Sequence, residues 1–300
     1  MRITNNMVTS SIVTELQQLE TQQSAIQSEV SSGLAVTQPS DNPEAFGQVI
    51  ELQSQSSQLQ QFGLNATQAL NVASASYSGL STMQQIYDRA SQIGTLGAGA
   101  ANPSSLQGYA TELNQLVQQA IQAGNSQLGG SYLYAGTADS SPPFTATTDS
   151  SGQITAAAYA GNTQATAIPI SENGTVSPRT TGATNAGIAD FINGLIALRD
   201  AVQGGDSATI GAATSSLGAS ESVITGAVAD NGAVQARIQS EQTQQQAMAT
   251  QDSSMISDAS NADLPSTMVK LSQAQVAYQA ALQSSASIMK LSLMNYIVLQ

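Results

Sequence analysis

Apolar residues near the two ends of this chain recur every seven positions, and that period leaves little choice of architecture. From Leu264 the positions seven apart are Leu264, Leu271, Tyr278, Ser285 and Ser292, interleaved with Met268, Gln275, Leu282, Met289 and Tyr296. A strand repeats every two residues and a lone helix about every 3.6, so a sustained seven-residue repeat describes a helix lying along another helix. A matching stripe runs near the start, with Ile12, Leu19 and Ile26 seven apart and Val8, Leu16 and Val30 one turn away on the same face. Two such helices at opposite ends of a chain are expected to meet as a coiled coil.

The intervening segments continue the helical theme. A first helix is expected around 3–32, with Gly33 as its left-handed C-cap. Pro39-Ser40-Asp41-Asn42-Pro43-Glu44 then reads as a turn and a helix start. Asp41 or Asn42 can cap exposed N–H groups, Pro43 has no N–H to lose in the first turn, and Glu44 suits the helix dipole. Over 46–96 a very long helix carries Leu52, Leu59, Ala66, Ala73, Leu80 and Tyr87 at seven-residue intervals. Gly47, Gly63 and Gly79 inside it predict bends or close helix contacts. Asn102-Pro103 starts a third helix with the stripe Leu106, Tyr109, Leu113, Leu116, Val117, Ala120 and Ile121.

From Gly129 the pattern changes. Tyr132-Leu133-Tyr134-Ala135-Gly136 predicts a strand, and further short strands are expected over 153–159, 164–171 and 175–179. Asn173-Gly174 supplies a type I′ turn signal. Helical patterning resumes at Ile188 and stops at Gly204-Gly205, and Asp206 can cap the next helix. A break is expected at Asp230-Asn231-Gly232, and Met248 and Met255 are expected to fill a core. Pro265 should bend or restart the helix where the terminal repeat begins.

The fold class is therefore mainly α with a small β insertion, and an elongated body is expected. Residues 1–38 with 262–300 would form a terminal coiled-coil assembly domain, 39–130 with 186–261 a long antiparallel helical bundle, and 131–185 a β-rich tip.

Composition excludes more than it suggests. Only 9% of residues are charged, and the net charge is −13. Binding to a phosphate backbone needs clustered positive charge, so nucleic acid is not expected as a partner. The chain has neither Cys nor His, which removes thiol chemistry, the commonest general base and the commonest metal ligand. Asp139, Asp149 and Glu172 are scattered, so no catalytic residue, cofactor or metal site is expected, and the chain is not read as an enzyme. No segment reaches the roughly 20 apolar residues of a membrane span, and 1–11 lack the apolar run of a cleaved leader.

Several of these motifs also carry a family likeness. Met1-Arg2-Ile3-Thr4-Asn5, Ser31-Ser32-Gly33 followed by Pro39-Ser40-Asp41-Asn42-Pro43, Tyr132-Leu133-Tyr134-Ala135-Gly136 with Pro143-Phe144, Gly232-Ala233-Val234-Gln235-Ala236-Arg237 and the ending Lys290-Leu291-Ser292-Leu293-Met294-Asn295-Tyr296 resemble the flagellin superfamily. The Pro-Ser-Asp-Asn-Pro turn and the Tyr-Leu-Tyr-Ala-Gly segment resemble its hook-associated branch; true flagellins usually carry an Asp-Asp-Ala-Ala-type turn instead. The resemblance implies a structural subunit of the bacterial flagellum, exported by the flagellar type III apparatus without a cleaved leader and placed between hook and filament. Implied partners are copies of the chain, hook-associated protein 1, flagellin and an export chaperone on the C-terminal helix. Pro265, where the family usually continues a helix, and Ile297 to Gln300, past its usual end, depart from the pattern.

The residues support assembly on their own account. Positions 291–299, including Leu293 and Tyr296, are apolar nearly all round, and two lone terminal helices cannot bury such a surface. The expected assembly interface is Val8, Ile12, Leu16, Leu19, Ile26 and Val30 with Leu264, Met268, Leu271, Tyr278, Leu282, Met289, Leu293 and Tyr296, and the helix-start turn is Pro39, Asp41, Asn42 and Pro43. Two other readings stay open at this point: the filament flagellin itself, and a non-flagellar helical bundle whose ends pack in its own core.

Overall fold

The computed structural model describes residues 5–297, with side chains at position 7 and over 10–290. Six helices, among the described residues, account for most of the chain: α1 (Asn5–Ser32), α2 (Pro43–Ala98), α3 (Pro103–Gly124), α4 (Gly182–Gly204), α5 (Ser207–Ser260) and α6 (Leu264–Ile297). Between α3 and α4 lie six short strands, β1 (Gln127–Leu128), β2 (Ser131–Tyr132), β3 (Phe144–Thr148), β4 (Ile154–Tyr159), β5 (Ile168–Pro169) and β6 (Thr175–Val176). They pair only as antiparallel neighbours, β1 with β2, β3 with β4 and β5 with β6. The class is mainly α with a small β insertion, as the patterning predicts.

The helix boundaries follow from side-chain chemistry. Asn102 caps α3, its Oδ1 accepting from the Ser104 N–H at 2.9 Å, with Pro103 in the first turn. Thr181 caps α4 through the Thr184 N–H, which starts that helix six residues ahead of Ile188, where apolar periodicity begins. Gly205 ends α4 at φ +76, and the Asp206 carboxylate accepts from the Thr209 N–H at 2.9 Å to start α5. The Thr209 hydroxyl, with smaller contributions from the Thr209 and Ala208 N–H groups, holds the Asp206 carboxyl below its usual range.

The chain packs as two units, Gln58–Met248 and Met1–Ser57 with Ala249–Gln300. In the first, the core gathers Leu80, Met83 and Ile93 from α2, Leu113 and Val117 from α3, Phe191, Leu195 and Leu198 from α4 and Leu217 and Ile224 from α5. Helix α4 is apolar on most of its circumference and is accordingly surrounded. A smaller cluster joins Ala66 and Ala69 to Ile170, Val176 and Ile238. Arg199 is 1% exposed inside this unit. Its Nη1 donates to the Ile154 carbonyl at 2.7 Å and to Asn114 Oδ1 at 3.2 Å, and its Nε donates to Asp200 at 2.8 Å. The guanidinium thereby ties β4, α3 and α4 together.

Several expectations are corrected. The strand predicted over Tyr132 to Gly136 ends at Tyr132, because Leu133, Tyr134 and Ala135 turn into the core and are buried. The Tyr134 hydroxyl donates to the Ser76 carbonyl at 2.6 Å. A Cβ on Gly79 would lie 2.4 Å from that hydroxyl, which accounts for the glycine inside α2. Strand β3 carries no alternating pattern beyond Phe144 and is not among the predicted strands, whereas its partner β4 is. The segment 164–171 pairs only over Ile168–Pro169, and 175–179 only over Thr175–Val176.

The turn between β5 and β6 is not type I′, since among the described residues no non-glycine has positive φ and Gly174 has none either. Nor does α5 break at Asp230-Asn231-Gly232. Asn231 is 5% exposed and its Oδ1 accepts from Gln235 Nε2 one turn on, so packing outweighs the roughly 1 kcal/mol a helical glycine costs. Met248 and Met255 are not core but 37% exposed. Along this part of α5 the buried positions are Gln245 and Asp252. A Cβ on Gly63 would stand 3.8 Å from Gln245 Oε1, an ordinary contact distance, so Gly63 lies next to this buried amide without a steric need for glycine.

Burial pushes the Tyr134 phenol above its usual range, so the folded state holds the neutral form. The unfolded chain releases that proton from about pH 10 upward. This contribution to stability is present below that pH and is lost as pH rises through the folded value. Urea midpoints should therefore fall on the alkaline side of about pH 10, and Tyr134→Phe should reduce the fall.

Candidate assembly surface on the terminal helices

In the unit formed by the two ends of the chain, α1 and α6 lie side by side. The junction between them shows how sequence sets their direction. Gly33 takes φ +73 and its N–H donates to the Glu29 carbonyl at 2.9 Å, closing α1 with the predicted C-cap. The next residues run against the end of α5: Ala35 N–H donates to the Ser260 carbonyl at 2.7 Å and Ala262 N–H to the Gly33 carbonyl at 2.9 Å. Leu34 and Asn261 form an isolated antiparallel bridge. Helix α6 restarts at Leu264 with Pro265 in its first turn, where a missing N–H is harmless. The Thr267 hydroxyl then donates to the Glu29 carboxylate at 3.1 Å. The C-terminus of α1 thus meets the N-terminus of α6, and the two helices run antiparallel.

Burial separates the expected interface residues into two sets. On α1 the inward positions are Ile12, Leu16, Leu19, Gln23, Ile26 and Val30, alternating in steps of four and three. On α6 the inward positions are Thr267, Leu271, Ala274, Tyr278, Ala281 and Ser285, again in steps of four and three. Ser285 therefore lies within the seam, its hydroxyl satisfied by the Ala281 carbonyl at 2.6 Å. The interleaved stripe faces away. Met268 is 57% exposed, Leu282 42% and Met289 40%, with Leu264 exposed in the first turn. Val269 and Val276 enlarge this outward apolar surface, and Val13 adds to it on α1, whereas Ile288, though exposed, is the next step of the inward series after Ser285. The side chains of Val8, Leu293 and Tyr296, like those of the whole apolar segment 291–299, lie outside what the structure describes.

The helix-start turn divides its labour between two neighbours. Asn42 Oδ1 accepts from the Ala45 N–H at 3.2 Å and so caps α2, with Pro43 and Glu44 in the first turn. Asp41 instead closes the preceding turn. Its Oδ2 accepts from the Thr37 and Gln38 N–H groups, both at 3.0 Å, and from the Thr37 hydroxyl at 3.1 Å. The Thr37 N–H, with smaller contributions from Gln38 and the Thr37 hydroxyl, holds the Asp41 carboxyl below its usual range. A depressed carboxyl stabilises the fold above its unfolded value of 3.8 and stops doing so as pH falls through its folded value. The Thr37 and Gln38 amides should lose hydrogen-exchange protection on that acid side, and Asp41→Asn should remove most of the protection at neutral pH.

The chemistry available here is that of contact surfaces. Among the described residues no three His, Cys, Asp or Glu side chains stand close enough to hold a metal ion. No described helix is long and apolar enough to cross a membrane.

Residues 3–139 match the family model for the bacterial flagellin N-terminal helical region. No curated protein matches the chain. Among solved structures it is similar to a putative flagellar hook-associated protein from Vibrio parahaemolyticus, with a TM-score of 0.65 and 18% identity over 74% of this chain and 100% of that one. It is likewise similar to FlgL from Bacillus cereus, with a TM-score of 0.56 and 16% identity over 69% of this chain and 97% of that one. At these identities the likeness is one of fold.

Proposed function

We propose that this chain, carrying the flagellin N-terminal helical region and the fold of the flagellar hook-associated proteins, is a structural subunit of the bacterial flagellum that joins hook to filament. The observation that carries the reading is the pairing of the two chain ends in α1 and α6 with an apolar stripe left outside the pair. A self-contained bundle would bury Met268, Leu282 and Met289 in its own core; a subunit keeps them for its neighbours.

On this reading 1–38 with 262–300 form the assembly domain, 39–130 with 186–261 the bundle and 131–185 the tip. Ile12, Leu16, Leu19, Ile26, Val30, Leu271 and Tyr278 hold the pair together, and Leu264, Met268, Leu282 and Met289 face other subunits. Val8, Leu293 and Tyr296 belong to the same domain. The partners are further copies of the chain and the adjoining axial proteins, hook-associated protein 1 and flagellin. An export chaperone covers the C-terminal helix before secretion, and the chain works outside the cell. Its role is mechanical, not enzymatic.

A second reading, that the chain is the filament flagellin itself, draws on the family model over residues 3–139. Imaging of flagella with this protein labelled separates the two. A short band at the hook end supports the junction, label along the filament supports flagellin, and absence of label from flagella rejects both.

A further inference from the structure

The sequence holds three Asn-Gly pairs, at Asn173, Asn193 and Asn231, and the fold treats them differently. Asn193 lies within α4 and Asn231 within α5, where the following main-chain N–H is held in the helical ladder. The Asn193 side chain is further locked by two bonds to one residue, its Oδ1 accepting from the Ala157 N–H and its Nδ2 donating to the Ala157 carbonyl, both at 2.9 Å. Asn231 is buried against Gln235.

Asn173 is exposed at the tip of the turn between β5 and β6. The N–H of Gly174 makes only a long bond, 3.4 Å, to the Ser171 carbonyl. Glycine places no Cβ in the way of a nitrogen that must swing toward the preceding side chain.

We propose that Asn173 is a self-modification site, the one Asn-Gly pair of the three that deamidates in the folded protein. Solvent base removes the Gly174 N–H proton, and the nitrogen attacks Cγ of Asn173. The new N–Cγ bond closes a five-membered imide as the Cγ–Nδ2 bond breaks and ammonia leaves. Water then opens the ring at either carbonyl, giving aspartate or isoaspartate, so each event consumes one water and releases one ammonia. The guanidinium of Arg237 lies beside this turn, with Nη2 3.9 Å from a Cβ placed on Gly174, and favours the added negative charge.

The turn matters because of what its hairpin holds. Asn65 of α2 donates to the Pro169 carbonyl at 2.9 Å, and Gln245 of α5 donates to the Ile170 carbonyl. Ile170 and Val176 seat their side chains on Ala66, Ala69 and Ile238. The hairpin is therefore a clasp across α2 and α5. The Ile170 N–H and Ser171 N–H both bond the Gly174 carbonyl, so a methylene inserted by isoaspartate acts directly on this register.

The test is peptide mapping by mass spectrometry after warm, mildly alkaline incubation of the whole protein, with and without urea. In the folded protein the amide-to-acid mass shift and isoaspartyl cleavage resistance should be confined to the peptide holding Asn173. In urea all three pairs should convert. Asn173→Gln, which cannot close the five-membered ring, should abolish the signal in the folded protein while circular dichroism stays unchanged. Conversion of Asn193 or Asn231 in the folded state to the same extent as Asn173, or an intact Asn173 where urea-treated protein converts, overturns the proposal.

Discussion

Replacing Met268, Leu282 and Met289 together with glutamate is expected to abolish assembly while leaving the isolated subunit folded. These side chains are 40–57% exposed on α6, so the change adds charge to a surface already in water and removes little packing. In a subunit interface the same charges would be buried without partners, at several kcal/mol each. Analytical ultracentrifugation or electron microscopy of polymerising mixtures reads the first effect, and circular dichroism the second. The contrasting change is Leu271→Ala with Tyr278→Ala, which empties the seam facing α1 and should loosen the helix pair before any partner is met. Loss of helix in the glutamate variant, or normal assembly by it, would contradict the division between inward and outward stripes.

The largest stability loss is expected from Arg199→Ala. The guanidinium is 1% exposed and serves the Ile154 carbonyl, Asn114 and Asp200. Its removal leaves a cavity and strands half-buried acceptors at β4 and α3, for a cost of about 3 kcal/mol. Asp200 contributes little to that cost, because its side chain is 55% exposed and stays solvated when its partner goes. At roughly 2–4 °C per kcal/mol for a unit of this size, Tm should fall by about 10 °C. Arg199→Met restores volume but not the donors and should recover only part of the loss. Asp200→Asn should stay within about 1 kcal/mol of the parent. A scan in urea or by calorimetry distinguishes these outcomes.

Much of the helical framework was legible because local chemistry determines it. Gly33, Asn42, Asn102, Gly205 and Asp206 act at the helix boundaries where their conformational freedom or side-chain oxygens predict. The β insertion was less so. Strands of two residues, such as Ser131–Tyr132 and Thr175–Val176, are too short for an alternating pattern, and their place depends on what they pack against. Tyr132 to Gly136 read as a strand because Tyr and Leu favour extended structure; the need to seat Tyr134 over Gly79 decided otherwise. Met248 and Met255 read as core because methionine is apolar, yet the buried positions of that helix are Gln245 and Asp252.

At the terminal helices the division is clear. The seven-residue repeats by themselves determined that both ends are helices, that each carries a seam, and that the seams suit one another. Only the tertiary structure decided which stripe of α6 turns inward. The two interleaved sets lie side by side on one helix and differ little in hydrophobicity, so periodicity cannot choose between them. The set with Leu271, Tyr278 and Ser285 turns inward, joined by Thr267, Ala274 and Ala281 of neither set, because these small side chains let α1 approach closely, and the set with Met268, Leu282 and Met289 is left facing outward.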